Sequence, residues 1–213
     1  MDQSTISNDL LECSRKAVSM MTSSMRIKIS KFVTRTLPVG HIMEQRNNWK
    51  ESFCPRCGKT DETPQHILQC SDKGTRKVFK EVLEKFERVL VKLHTERILR
   101  IQLICYITEW ITQGEVFIHK DTIPPIQDQH QVGWLHLMEG CFHTSFEIYM
   151  DDHYNCVRNK KTGRVWVSVT IQSLWSLIFL PLWEHRNKAV HVVETKPKLS
   201  RDYINLNFTI REF

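Results

Sequence analysis

The chain has 213 residues, 41% hydrophobic and 25% charged, with seven Gly and seven Pro. That length buries a hydrophobic core without disulfide staples, and the composition excludes a disordered or low-complexity chain. A formal charge of +6 and a pI near 9.0 favour anionic partners, nucleic acid first, although a basic excess of this size also serves plain solubility.

The N-terminal stretch MDQSTISNDLLECSRK is polar and charged, without the apolar run of a secretory signal. It predicts a reducing setting, nuclear or cytoplasmic and not secreted. There, clustered cysteines bind metal or do chemistry, and scattered ones are buried as small hydrophobes. Cys13, Cys105, Cys141 and Cys156 belong to the scattered class.

Residues 1–25 form an N-terminal segment, partly helical. Met25, Ile29, Phe32 and Val33 then recur at helical spacing, with Arg26, Lys28, Lys31 and Arg35 on the rest of the surface. Leu37-Pro38-Val39-Gly40 breaks that helix. The four cations, with Arg46, Lys50, Arg56 and Lys59 further on, make the candidate nucleic-acid surface, and Trp49 or Phe53 could stack on exposed bases. The bland alternative is a solvated basic face. No base-reading element is evident, so binding there would be salt-sensitive and weakly sequence-specific.

Next comes Cys54-x2-Cys57-x8-His66-x3-Cys70. A Cys-x2-Cys turn, stiffened by Pro55 and closed by Gly58, presents two thiolates together. Thr63-Pro64 reads as an N-cap followed by proline at the first helical position. On that helix His66 and Cys70 stand at i and i+4, on one face. Two ligands from a turn and two from a helix complete a tetrahedron, the arrangement of structural Zn2+, with no position left for water. Residues 26–72 therefore read as a basic helix plus a zinc knuckle.

Phe79, Val82, Leu83, Phe86, Val89, Leu90 and Leu93 give a continuous helical stripe, core or interface, with Lys80–Glu84 and Glu81–Lys85 pairs predicted on the outer surface. Thr95 starts a second, more buried helix through Leu99–Ile111, closing a helical segment over 73–112. Residues 113–128, with Gly114, Pro124 and Pro125, read as a connection. A shorter helix covers Ser145–Tyr154, and RNKKTG (158–163) makes a basic turn. A C-terminal helical domain is predicted over 113–192 and a tail over 193–213. Beta signals are weak throughout.

Val165–Trp183 runs without a charge and has tryptophans near both ends, which fits a membrane span by length. Ser168, Gln172 and Ser176, however, fall on one helical face, the mark of a core helix with a narrow polar stripe. The core helix, with no membrane partner, is the expectation, and Pro181 should kink or end it. Trp183 belongs in the core, and Arg186 and Asn187 should hydrogen-bond loop backbone. His153, His185 and His191 are too far apart in sequence to suggest a second metal site.

Several blocks together resemble the zinc-knuckle region that follows the polymerase domain in reverse-transcriptase proteins of eukaryotic retroelements. They are KISKFVTRTLPVGHIMEQRNNW, FCPRCGKTDETPQHILQC, QHQVGWLHLMEGCFHTSFEIYMDDHY and SLWSLIFLPLWEHRNKAVH, spanning roughly residues 26–191. The resemblance implies a mainly α, irregular helical domain carrying a small Cys3His zinc knuckle. It implies a non-catalytic module that contacts RNA or DNA, with a reverse-transcriptase polymerase domain as a further partner. A structural domain packing on a polymerase or another chain, with the 79–93 stripe as its contact, is the alternative. Phe142-His143-Thr144 departs from the more polar stretch usual in the family at that place.

Tyr149-Met150-Asp151-Asp152 matches the box at which reverse transcriptases hold magnesium. That chemistry needs a third Asp and a β-hairpin, and within the resemblance a polymerase box lies upstream of the knuckle; a helix end with solvated acids is expected. A remnant endonuclease, suggested by His185-Arg186-Asn187, is a minor alternative. It would need a Pro-Asp pair that the sequence lacks, and Glu194-Thr195-Lys196 falls in the polar tail.

Overall fold

The computed structural model describes residues 8–59 and 61–191, with side chains from Glu12 onward. The tail over 193–213, including Glu194-Thr195-Lys196, lies outside the described residues, as do residues 1–7. The described residues are mainly α-helical and contain no strand.

Ten helices follow in chain order among the described residues. Asn8–Ser19 (α1), Ser23–Val33 (α2) and Gly40–Gln45 (α3) lead to the cysteine turn, and Pro64–Gln69 (α4) leaves it. Lys73–Lys92 (α5) and Arg97–Gln113 (α6) are the long pair, and Pro124–Val132 (α7), Trp134–Met138 (α8) and Ser145–Cys156 (α9) are shorter. The last, α10 (Gly163–Ser173), continues through a π-helical turn (Leu174–Phe179), so that one helix spans Gly163–His191.

That last helix organises the core. It is long and apolar enough to cross a membrane by length and composition, yet 67% of its most apolar window is buried inside the protein. Helices α1, α5 and α9 pack on it, and α8 packs on its π-helical turn. Phe32 of α2 stacks on Phe179 with ring centroids 4.2 Å apart. Trp166 packs against Phe142 and Phe146 and donates to the Thr95 hydroxyl at 2.7 Å. Ser168 and Ser176 of the polar stripe satisfy themselves by donating to the carbonyls of Arg164 and Gln172. A single hydrophobic cluster reaches from Cys13 to Trp183.

Pro181 does not end the helix, because the π-helical turn lies immediately before it. The Leu180 N–H reaches back five residues to the Trp175 carbonyl. This widened turn accommodates a residue that has no N–H and whose ring would crowd the preceding turn.

Of the two readings of the 79–93 stripe, core and interface, the structure has the core: Phe79, Val82, Phe86, Leu90 and Leu93 are buried, with Leu83 and Val89 partly buried against them, so the stripe is not a free contact face. Three other expectations change. Among the described residues the Lys80–Glu84 and Glu81–Lys85 pairs do not form, and α5 instead pairs Glu87 with Arg100 of α6 at 3.4 Å. Glu96, not Thr95, caps α6 by accepting from the Leu99 N–H at 2.8 Å, while Thr95 bonds the Leu90 carbonyl. Of the scattered cysteines, Cys13 is buried but Cys105 and Cys156 are exposed.

Candidate metal centre

The cysteine turn is shaped by its backbone. Gly58 N–H donates to the Cys54 carbonyl at 2.9 Å and Cys54 N–H to the Lys59 carbonyl at 2.8 Å. Gly58 closes the turn at φ +71, a conformation that favours glycine. On the other side Thr63 caps α4, its hydroxyl accepting from the His66 N–H at 3.2 Å, with Pro64 at the first helical position. The turn and α4 bring Cys54, Cys57, His66 and Cys70 together, their donor atoms all within 4.8 Å of one another. These four residues could hold a metal ion.

The separations fit one ion. A tetrahedral centre with sulfur about 2.3 Å and nitrogen about 2.0 Å from the metal has edges of about 3.5–3.8 Å. Cys54 Sγ and Cys70 Sγ lie 3.9 Å apart, and Cys57 Sγ lies 3.3 Å from His66 Nε2. Cys54 and Cys70 are buried at 1% and 0% exposure, while Cys57 and His66 are half-buried at the rim.

The surroundings favour thiolate at Cys54. The Cys54 and Cys70 sulfurs share a hydrogen bond, which holds the Cys54 thiol down at about 2 and pushes Cys70 up. Burial opposes the first shift and reinforces the second. Backbone N–H groups of Arg56 and Cys57 also lower Cys54, and the Asp72 N–H and the Arg56 charge pull Cys70 the same way. Such donors around the sulfurs are what a metal-bound thiolate requires of its neighbours.

Beside the cluster stands a contact that sequence spacing does not signal. Glu62 is 0% and Arg186 3% exposed. Arg186 Nε donates to Glu62 Oε1 at 3.0 Å and Nη2 to Oε2 at 2.6 Å. The same carboxylate accepts the Gly40 N–H at 2.9 Å. The guanidinium sits 5.3 Å from the ring centres of both Trp49 and Trp183. Arg186 thus bonds a side-chain carboxylate rather than loop backbone, and Asn187 accepts from it at 3.3 Å. Gly40 is required here, since a Cβ would overlap the Ser52 carbonyl. The signals available in sequence were a lone Glu beside the cap and an Arg ending an apolar helix, and neither names the other.

The candidate nucleic-acid residues are only partly brought together. Arg26 donates to the carbonyls of Met21 and Ser19 and so closes α1. Lys28 pairs with Glu184 at 3.8 Å, and Arg35 with the buried Glu139 at 3.0 Å. Arg56 turns inward to the Ile67 carbonyl and the Thr75 hydroxyl. Trp49 faces Arg186, leaving Phe53, 42% exposed, as the open aromatic beside the turn. Lys31, Arg46, Lys50 and Lys59 are exposed and take part in no ion pair among the described residues.

The Tyr-Met-Asp-Asp stretch lies on α9. Tyr149 donates to Glu96, Met150 is buried, and Asp152 is exposed. Asp151 is not simply solvated: it accepts the Gly163 N–H at 2.7 Å and so closes the start of α10. Gln129, of the Gln-x-x-Val-Gly-Trp block, is fully buried. It ties the chain on both sides of α8 by donating to the Gly133 and Cys141 carbonyls and accepting from His143 N–H.

Comparison with protein-family models, with curated proteins and with solved structures found no match.

Proposed function

We propose that this chain is a non-catalytic zinc-binding module, similar to the C-terminal region of retroelement reverse-transcriptase proteins, that contacts RNA or DNA without reading sequence. The observation that carries the metal part is the closed set of Cys54, Cys57, His66 and Cys70 at tetrahedral separations. Three sulfurs and one imidazole suit zinc, and four protein ligands leave no open position for a reacting water, so the ion is structural. Its role is to hold the 52–63 loop in the shape that places Glu62.

The nucleic-acid part rests on the basic balance of the chain and on the order of the blocks that resemble retroelement proteins. A polymerase domain is the protein partner this reading implies. Anisotropy of a labelled single-stranded RNA, titrated with zinc-loaded protein at two salt concentrations, tests it. The expected result is binding that weakens steeply as salt rises; no binding at low salt refutes the nucleic-acid role and leaves the metal assignment standing.

A further inference from the structure

We infer that the principal phosphate-binding surface is not the knuckle but a second basic patch, formed where the 158–161 turn docks on the end of α5. This rests on the nucleic-acid reading above and assigns it a different location. Around the knuckle, Arg46, Lys50 and Lys59 alternate along the chain with Glu44, Glu51 and Asp61, all exposed, and Arg56 points inward. Of the cations on and just after α2, Arg26, Lys28 and Arg35 are engaged in capping or ion pairs. A surface whose charges balance locally attracts a polyanion weakly.

The α5 end differs. The carbonyls of Lys92, which ends α5, and of Leu93 and His94 just beyond it are each taken by a side chain from beyond residue 152. Lys161 Nζ donates to Lys92 O at 3.0 Å, the Tyr154 hydroxyl to Leu93 O at 2.6 Å, and His153 Nε2 to His94 O at 3.1 Å. The turn itself is fixed by Asn159 N–H on Tyr154 O and by Lys161 N–H on Asn159 Oδ1. These bonds gather Lys92, Arg158, Lys160 and Lys161 into one place. Lys92, Arg158 and Lys160 are exposed and form no ion pair among the described residues.

Residues 156–164 contain no acid. Of the carboxylates on neighbouring elements, Asp151 is bonded to Gly163 N–H, Glu96 to Leu99 N–H and the Tyr149 hydroxyl, Glu147 to Arg164 and Glu87 to Arg100, leaving Asp152 and, further back along α5, Glu81 and Glu84 exposed. Val91 and Val157, 49% and 53% exposed, supply apolar surface beside the cations for sugar or base. A pinned turn of Arg and Lys beside such surface suits a sugar–phosphate backbone.

The test compares two triple variants of the full chain, Lys92→Gln/Arg158→Asn/Lys160→Gln and Arg46→Gln/Lys50→Gln/Lys59→Gln, by anisotropy on a short mixed-sequence single-stranded RNA across a salt series. The first should lose roughly tenfold or more in affinity, and its slope of log K against log salt should shrink by about 0.7 for each phosphate contact removed. The second should stay close to the parent. Lys160→Gln alone, at an exposed side chain, gives the same readout with a smaller loss should the triple variant misfold. A parent-like first variant beside a weakened second one overturns the inference and keeps the nucleic-acid reading. A parent chain that binds no RNA at low salt overturns both. Displacement by poly-glutamate as effective as by unlabelled RNA overturns the assignment to nucleic acid in favour of an acidic protein.

Discussion

The metal cluster and the Glu62–Arg186 lock stand side by side and are assembled in opposite ways. The cluster takes every donor from residues 54–70; the lock joins residues 124 positions apart. In the cluster, a turn and one helical face fix the geometry with residues that are themselves the ligands. In the lock, the geometry depends on where the end of the Gly163–His191 helix meets the 52–63 loop, which the packing of the whole core decides. The first can be read from spacing. The second exists only once the fold does, although both hold the same loop.

The largest effect should come from the metal side. Chelation, or Cys57→Ser, should remove amide-exchange protection from residues 40–70 while the α5 and α10 core keeps its own. Zinc binding in isolated finger peptides is worth on the order of ten kcal/mol, and losing it should outweigh any single contact nearby. Protection unchanged in the 40–70 region would show that the loop holds its shape without an ion.

The lock should come next. Arg186→Met strands the Glu62 carboxylate in a buried site and should cost about 3–5 kcal/mol in urea unfolding. Glu62→Leu/Arg186→Met should cost less than the sum of the two single changes, because paired burial of both charges is itself expensive. If lock and cluster support each other, the Arg186→Met penalty shrinks in chelated protein. An equal penalty with and without metal would separate the two regions.

A smaller effect belongs to Tyr154, which touches neither region and so calibrates both. Burial, with the Asp151 carboxylate adding to it, pushes its phenol from 10.0 up to about 12, and its hydroxyl donates to Leu93 O. The folded state thus favours the protonated phenol. Its contribution is complete below pH 10.0 and is lost as pH rises towards about 12. Tyr154→Phe should cost ~1 kcal/mol at neutral pH and flatten the fall of stability across that alkaline window, measured by urea unfolding at stepped pH. A slope equal to that of the parent would show that the phenol does not control it.

Much of this architecture was legible because it is periodic or capped. The Ile29–Phe32 face, the Phe79–Leu93 stripe and the Thr63-Pro64 start all follow from spacing and from which backbone groups need partners. The reading failed where one residue's fate depends on distant packing. Pro181 stays inside a helix because of the widened turn before it. The basic face on and after α2 is largely consumed by a carbonyl cap and by two acids, Glu139 just after α8 and Glu184 near the end of the last helix, none of which helical spacing could have named. Trp49 looked like a base-stacking platform, and Arg186 covers it. Exposure on a helical wheel shows which side chains leave the helix's own core; it does not show what else arrives there.

The central claim, a closed structural zinc site, is most directly tested by native mass spectrometry of the full chain purified without added chelator. The account predicts one zinc ion per chain, absent from Cys57→Ser protein. A metal-free chain that stays folded after zinc is supplied, or a Cys57→Ser variant that keeps its zinc, would contradict it.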